Sequence, residues 1–250
     1  MNEKAKKTYL TIIISITVIC VIVGIVLHTL SGAGFTNGKT KTGSISVEDT
    51  DNIKIIKLDI SISDIYIKSG SEFDVSYKDV NEKLIPSVSN KNGIVTIKQK
   101  SRNNNFNFNL FKGNKKTGKI TIVVPEDTEL IDLDVDISMG SLEMAKLSLD
   151  EAEFDLSMGS VEMNDVSIES LSADLSMGSI EVKDSKIEDS EIDLSMGSAE
   201  FKGSFDKIVG DVDMGSIEVD NNNDDCDYNL EASMGSIIVN GDDKGKSYKN

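Results

Sequence analysis

Histidine occurs once, cysteine twice, proline twice and tryptophan not at all in this chain of 250 residues. Two cysteines cannot frame a disulfide-stapled scaffold, and with a single histidine beside them they leave no Cys/His zinc centre. The commonest general base is confined to one position, His28, at the edge of an apolar run. Cationic residues are also in deficit, since 26 Lys and Arg face 43 Asp and Glu for a net charge of −17. Affinity for a nucleic-acid backbone rests on neutralising phosphates with Lys and Arg, so nucleic acid is excluded as the principal partner. The chain is still long enough to bury a sizeable core.

Leu10 to Leu30 carries no Asp, Glu, Lys or Arg. At about 1.5 Å per residue a helix of that length spans a hydrocarbon layer of about 30 Å, so residues 10–30 read as one transmembrane helix. Lys4, Lys6 and Lys7 precede it with Glu3 opposing them. The positive-inside rule then places residues 1–9 in the cytoplasm and the rest outside, as a single-pass cell-membrane protein with an extracellular C-terminal domain. A cleaved signal peptide is the rival reading, with Ser31-Gly-Ala-Gly34 as the cleavage zone, although typical apolar cores of signal peptides are shorter, about 7–15 residues. Cys20 lies in the apolar run and Cys226 near the other end of the chain, so the two do not pair. Residues 31–43 lack apolar periodicity and read as a flexible stalk.

Beyond the stalk a repeat dominates. Met-Gly-Ser recurs six times, beginning at Met139, Met158, Met177, Met196, Met214 and Met234, at spacings of 19, 19, 19, 18 and 20. Around Met177, Leu175 alternates with Asp174 and Ser176, the period of two of a strand with one buried face. Ile180 and Val182 continue the alternation in the opposite parity, so the chain must turn a corner at Gly178-Ser179, where glycine tolerates backbone angles that a side chain forbids. Leu149, Ile168 and Ile187, each ten residues after its Met, extend the pattern. Units this short cannot bury an apolar face alone, and a central glycine weakens any helical alternative. The expected fold is all-β, a single-stranded β-solenoid of about 19-residue coils in which equivalent residues form columns about 4.8 Å apart.

The repeat domain spans residues 130–240. Residues 44–129 form an N-terminal β segment whose run Asp59 to Ile67 overlays the repeat as a degenerate first coil, with Ile62 at the Met position and Ser63-Asp64 at the corner. The polar stretches within Arg102 to Gly118 read as a loop or irregular hairpin, and Lys119 to Val124 as a strand closed by the turn signal Pro125-Glu-Asp127. Residues 241–250 form a C-terminal tail, either the cap that an exposed solenoid end requires or a frayed end.

Three segments carry a resemblance: Lys57-Leu-Asp-Ile-Ser-Ile-Ser-Asp-Ile-Tyr-Ile67, Ile120-Thr-Ile-Val-Val-Pro125, and the repeated Asp-Leu-Ser-Met-Gly-Ser-Ile-Glu-Val. From about Ile53 to Val239 the chain resembles the bacterial "putative adhesin" family of β-strand repeats, the LiaG-like envelope proteins, although Met-Gly-Ser replaces the family's usual Ser-Gly-Asp corner. The resemblance implies a β-helical extracellular domain, membrane-anchored, in envelope or stress-response settings, with no catalytic residues.

Stacking converts the repeat into ladders. The methionines form one, which could hold Cu(I) through soft sulfur. The alternation directs them inward instead, as an interior stack filling the core. Asp136, Asp155, Asp174, Asp193, Asp211 and Glu231 form a second ladder, and Glu143, Glu162, Glu181, Glu200 and Glu218 a third across the corner. Residues 131–250 hold 30 acidic and 8 basic residues, so the charge is concentrated there. Ca²⁺ takes clustered carboxylate oxygens, which makes Asp155, Glu162, Asp174, Glu181, Asp193 and Glu200 the candidate metal ligands, although the glycine-rich nonapeptide of Ca²⁺-binding β-rolls is missing. A solvated acidic face attracting basic partners is the simpler reading. Serines beside and on the corner (Ser157, Ser160 and their equivalents) could line a sugar-binding face, but serine at a turn usually bonds local backbone.

These features point to a non-enzymatic surface module that binds or senses an envelope or cell-wall component, or assists a neighbouring membrane protein. The alternatives are a cation-binding acidic scaffold and a carbohydrate-active enzyme on a β-helix. An active site needs one coil to differ from its neighbours, and the acidic pairs recur nearly unchanged. No catalytic or cofactor-binding residue is nominated, and Cys226 is a candidate free thiol for an intermolecular bond.

Overall fold

The computed structural model describes residues 39–99 and 117–250. The membrane helix expected over 10–30, with Cys20 and His28, and most of the polar loop expected between Arg102 and Gly118 lie outside the described residues. Among the described residues no helix is long and apolar enough to cross a membrane.

The architecture is all-β and solenoid-like. Fourteen strands form one sheet: β1 (Thr40–Ile45), β2 (Ile55–Ile60), β3 (Asp64–Gly70), β4 (Asp74–Asn81), β5 (Ser87–Lys91), β6 (Ile94–Lys98), β7 (Lys119–Pro125), β8 (Leu130–Ile137), β9 (Gly140–Ala145), β10 (Ser148–Asn164), β11 (Ser167–Asn221), β12 (Asp227–Val239), β13 (Asp242–Gly245) and β14 (Ser247–Lys249). The long β11 runs on through several coils.

Successive coils pair in parallel and in register. Asp155 sits beside Asp174, Met158 beside Met177, Gly159 beside Gly178 and Glu162 beside Glu181, and the last coil repeats this with Met214 beside Met234. The degenerate first coil is where the sequence places it. Strand β2 pairs with β8 and β3 with β9, which aligns Ile60 with Ile137 and Ile65 with Leu142 and so sets Ile62 opposite Met139. One further, more divergent layer lies beyond it, β6 against β2 and β7 against β3.

Each coil buries its apolar side chains in columns. Leu142, Val161, Ile180, Ala199, Ile217 and Ile237 follow the corner, and Leu156, Leu175, Leu194, Val212 and Ala232 precede it. Leu149, Ile168 and Ile187 are buried as the ten-residue offset requires. Phe201 and Phe205, both fully buried, meet edge-to-face at 5.4 Å between centroids.

The corner glycine is required by close approach. A Cβ on Gly178 would lie 1.7 Å from the carbonyl oxygen of Gly159, and the same holds for Gly159 over Gly140 and Gly197 over Gly178. The missing side chain is what lets the coils stack at the corner at all. On the opposite edge the chain turns through Lys146, Asp165 and Asp184, which all adopt left-handed backbone with φ near +50°. In the next coil Gly203 takes this place, and the buried Ser185 and Asn221 bond the backbone there, Ser185 Oγ accepting from the Val166 N–H and Asn221 Oδ1 from the Phe205 N–H.

Both ends are closed by antiparallel strands. At the N-terminal end β4 covers β7, β1 covers β4, and β5 covers β6. Residues 40–43, read in sequence as part of a stalk, belong to β1, where Thr40 pairs with Asn81, because the alternation there is too brief to register in sequence. At the other end β13 and β14 fold back onto β12, so residues 241–250 are a cap and not a frayed tail. Tyr248 packs on Tyr228 at 5.5 Å, and Asn250 accepts from the Tyr228 N–H and donates to the Cys226 carbonyl. Antiparallel caps shield the rows of unpaired backbone groups that a parallel stack would leave at its ends.

Candidate functional site

The Asp ladder and the Glu ladder differ in the structure. Asp59, Asp136, Asp155 and Asp174 are consecutive register partners, continued by Asp193 and by Asp211 beside Glu231. All of these from Asp136 onward are exposed. Lys98 terminates the row, its ammonium 3.4 Å from Asp59. Among the described residues no Lys or Arg lies within ion-pair distance of Asp136, Asp155, Asp174, Asp193, Asp211 or Glu231.

Across the corner four of the five glutamates have partners, and among the described residues only Glu218 has none. Lys183 pairs with Glu181, Lys202 with Glu200 at 2.5 Å and Lys119 with Glu143 at 3.9 Å, while Asn164 donates to Glu162 at 3.0 Å. Glu-x-Lys places both side chains on one face of a strand, so this pairing was visible at Glu181-Val-Lys183 and Glu200-Phe-Lys202.

The electrostatics follow the geometry. Burial first, then the carboxylates of Asp174, Asp211, Asp213 and Glu191, holds Asp193 above the usual carboxylate range. Burial, followed by Asp155, Asp59 and Asp134, does the same to Asp136. Burial also raises Asp132, against the opposing pull of Lys57. That lysine pairs with Asp134 at 2.8 Å, so the charge balance is better at the N-terminal end of the ladder than in its middle.

Of the candidate metal ligands, Asp155, Asp174 and Asp193 fall on the bare ladder, and Glu162, Glu181 and Glu200 on the partnered one across the corner. Among the described residues no three His, Cys, Asp or Glu side chains converge on one position suited to a metal ion.

Other expectations need correction. The methionines of the repeat do not form an interior stack. They sit on the corner itself, half-buried at Met139, Met158, Met177 and Met196, and 39% and 59% exposed at Met214 and Met234. The core methionines are Met144 and Met163. Parity along a straight strand predicts an inward side chain, but the turn at the following glycine swings the last residue out onto the edge. Cys226 is 1% exposed. Burial raises its thiol pKa, so it is packed into the C-terminal cap and unsuited to intermolecular bonding. The serines before the corner are exposed, and Ser141 donates to the Asp64 carboxylate at 3.0 Å.

One feature was missed from sequence altogether. A groove of about 910 Å³ runs across the coils along the second edge, lined by Lys146, Asp165, Asp184, Lys186, Lys202 and Asn222 among others. Its signal was the column of left-handed turn residues at Lys146, Asp165 and Asp184.

A family model described as Toastrack DUF4097 matches residues 39–249. The chain belongs to this family. The toastrack match covers the whole of the described domain, from β1 to the C-terminal cap, and the family is one whose function is undefined. Among solved structures, the toastrack domain is similar to a putative adhesin from Bacteroides fragilis at 14% identity, covering 80% of this chain and 97% of that one with a TM-score of 0.46. It is similar to a putative lipid binding protein from Parabacteroides distasonis at 17% identity, covering 82% and 96% with a TM-score of 0.37. A putative cell adhesion protein from Clostridium sporogenes matches at 17% identity, covering 80% and 99% with a TM-score of 0.35. No curated protein matches the chain.

Proposed function

We propose that this protein is a non-enzymatic, membrane-anchored binding module of the bacterial envelope, which presents its bare aspartate ladder to a multivalent cationic partner. The observation that carries the reading is the unneutralised row from Asp136 to Glu231, set against a glutamate row with partners on the same coils. A row of like charges at about 4.8 Å spacing builds a strong local potential and favours partners that carry several positive charges at once. Uniform rungs serve this role, whereas general acid–base chemistry needs two carboxyls in contrasting environments. The apolar run over residues 10–30 would hold the module at the outer face of a membrane, where an envelope or cell-wall component or a neighbouring membrane protein is within reach.

The test uses the full-length chain in detergent and an oligolysine peptide as the probe. Replacing Asp155, Asp174 and Asp193 together by Asn is expected to weaken binding at least tenfold and to flatten its salt dependence. Replacing Glu162, Glu181 and Glu200 by Gln is expected to change it by less than threefold. Equal losses from the two triple variants, or no binding by the native chain, would overturn the proposal.

A further inference from the structure

Six of the nine methionines in the chain occupy the one corner position. The buried columns beside them vary freely in size, from Ala199 to Ile180 on one side and from Ala232 to Leu175 on the other. Interior positions ask only for apolar volume and tolerate such exchange. The corner position is less buried, half-buried in four coils and 39% and 59% exposed at Met214 and Met234, yet it holds a single residue type in all six. Close approach of the backbone explains the adjoining glycine. What methionine supplies and Leu, Ile or Val does not is a thioether sulfur.

The stacking brings these sulfurs into a repeating array. Met158 and Met177 are direct register partners, as are Met214 and Met234, so neighbouring methionines leave the backbone about 4.8 Å apart. Metal–sulfur bonds are about 2.3 Å, the value for zinc thiolates, so two of them end to end span about 4.6 Å. One ion therefore fits between two stacked thioethers without moving either coil. Neutral soft donors select Cu(I) over Ca²⁺ or Mg²⁺, which take hard oxygen ligands. The bare aspartates Asp155, Asp174 and Asp193, each three residues before its methionine, add a field that gathers cations at this edge.

We propose that the corner methionines form a thioether track that binds soft monovalent metal ions, Cu(I) or Ag(I), each ion held by two neighbouring rungs and each rung used once, so that the six rungs take up to three ions. The track stands independently of the oligolysine-binding reading, since it uses sulfur and not carboxylate.

The experiment titrates Ag(I), and Cu(I) held reduced by ascorbate, into the full-length chain with both cysteines replaced by alanine, so that no thiol competes. Methionine methyl groups are followed by NMR. The six corner methyl signals are expected to shift, while those of the buried Met144 and Met163 stay in place, an internal control that needs no further variant. Met177→Leu with Met196→Leu is expected to lower the bound stoichiometry from three ions to two, the remaining rungs keeping theirs. Replacing all six by Leu is expected to abolish uptake. Unmoved corner signals at stoichiometric Ag(I) would overturn the proposal, as would unchanged uptake in the double variant.

Discussion

Removing one charge from the middle of the aspartate ladder should stabilise the protein. Asp193 has Asp174 and Asp211 as ladder neighbours, and its pKa is raised in the folded state by burial and then by those carboxylates. Two unit charges about 4.8 Å apart repel by about 0.9 kcal/mol in water. Screening at physiological ionic strength, with a Debye length of about 8 Å, lowers each term to about 0.5 kcal/mol. Two neighbours then cost about 1 kcal/mol, so Asp193→Asn is expected to raise the melting temperature at pH 7 by about 2–4 °C for a domain of this size. A raised folded-state pKa means that the folded state binds more protons. The native ladder is therefore more stable at low pH and loses stability as pH rises through the raised carboxylate values. The advantage of the Asn variant is accordingly present at neutral pH and vanishes below the ordinary Asp pKa of about 3.9. It should also shrink in 1 M salt, where the Debye length falls to about 3 Å. Thermal melts followed by circular dichroism at two pH values and two salt concentrations measure all of this. A lower melting temperature at pH 7, or a gain that 1 M salt leaves intact, would refute the reasoning.

Two other perturbations test the stacking. Gly178→Ala would set a Cβ 1.7 Å from the Gly159 carbonyl oxygen, a backbone atom that cannot give way, and is expected to cost more than about 3 kcal/mol in urea unfolding. Deleting residues 241–250 removes β13 and β14 from β12 and exposes its backbone, so light scattering should show association that the full chain does not.

Much of the fold is written in the chain as period and parity. The 19-residue recurrence, the switch of alternation across Gly178 and the alignment of Ile62 with the Met position follow from side chains alternating along a strand, and all three hold in the sheet. These are local properties, and local order is what a linear sequence displays. The methionine column shows where that stops. Its parity reads as inward, and only the curvature of the corner decides that Met214 and Met234 face solvent. The two acidic ladders look alike as columns, and the local Glu-x-Lys pairs at Lys183 and Lys202 are what distinguish them, while the aspartate row has Lys98 at its end. The caps were equally indistinct, since the few residues of β1, β13 and β14 acquire their strand character from the edges they cover.

The sequence by itself determined the coil, its period, its apolar interior and the placing of charge in its second half. Tertiary structure alone decided that the corner methionines lie at the surface, why glycine holds the corner and how the ends are closed. The physical reason is that burial and backbone approach depend on neighbours a full coil away, and those neighbours meet only when the coils stack.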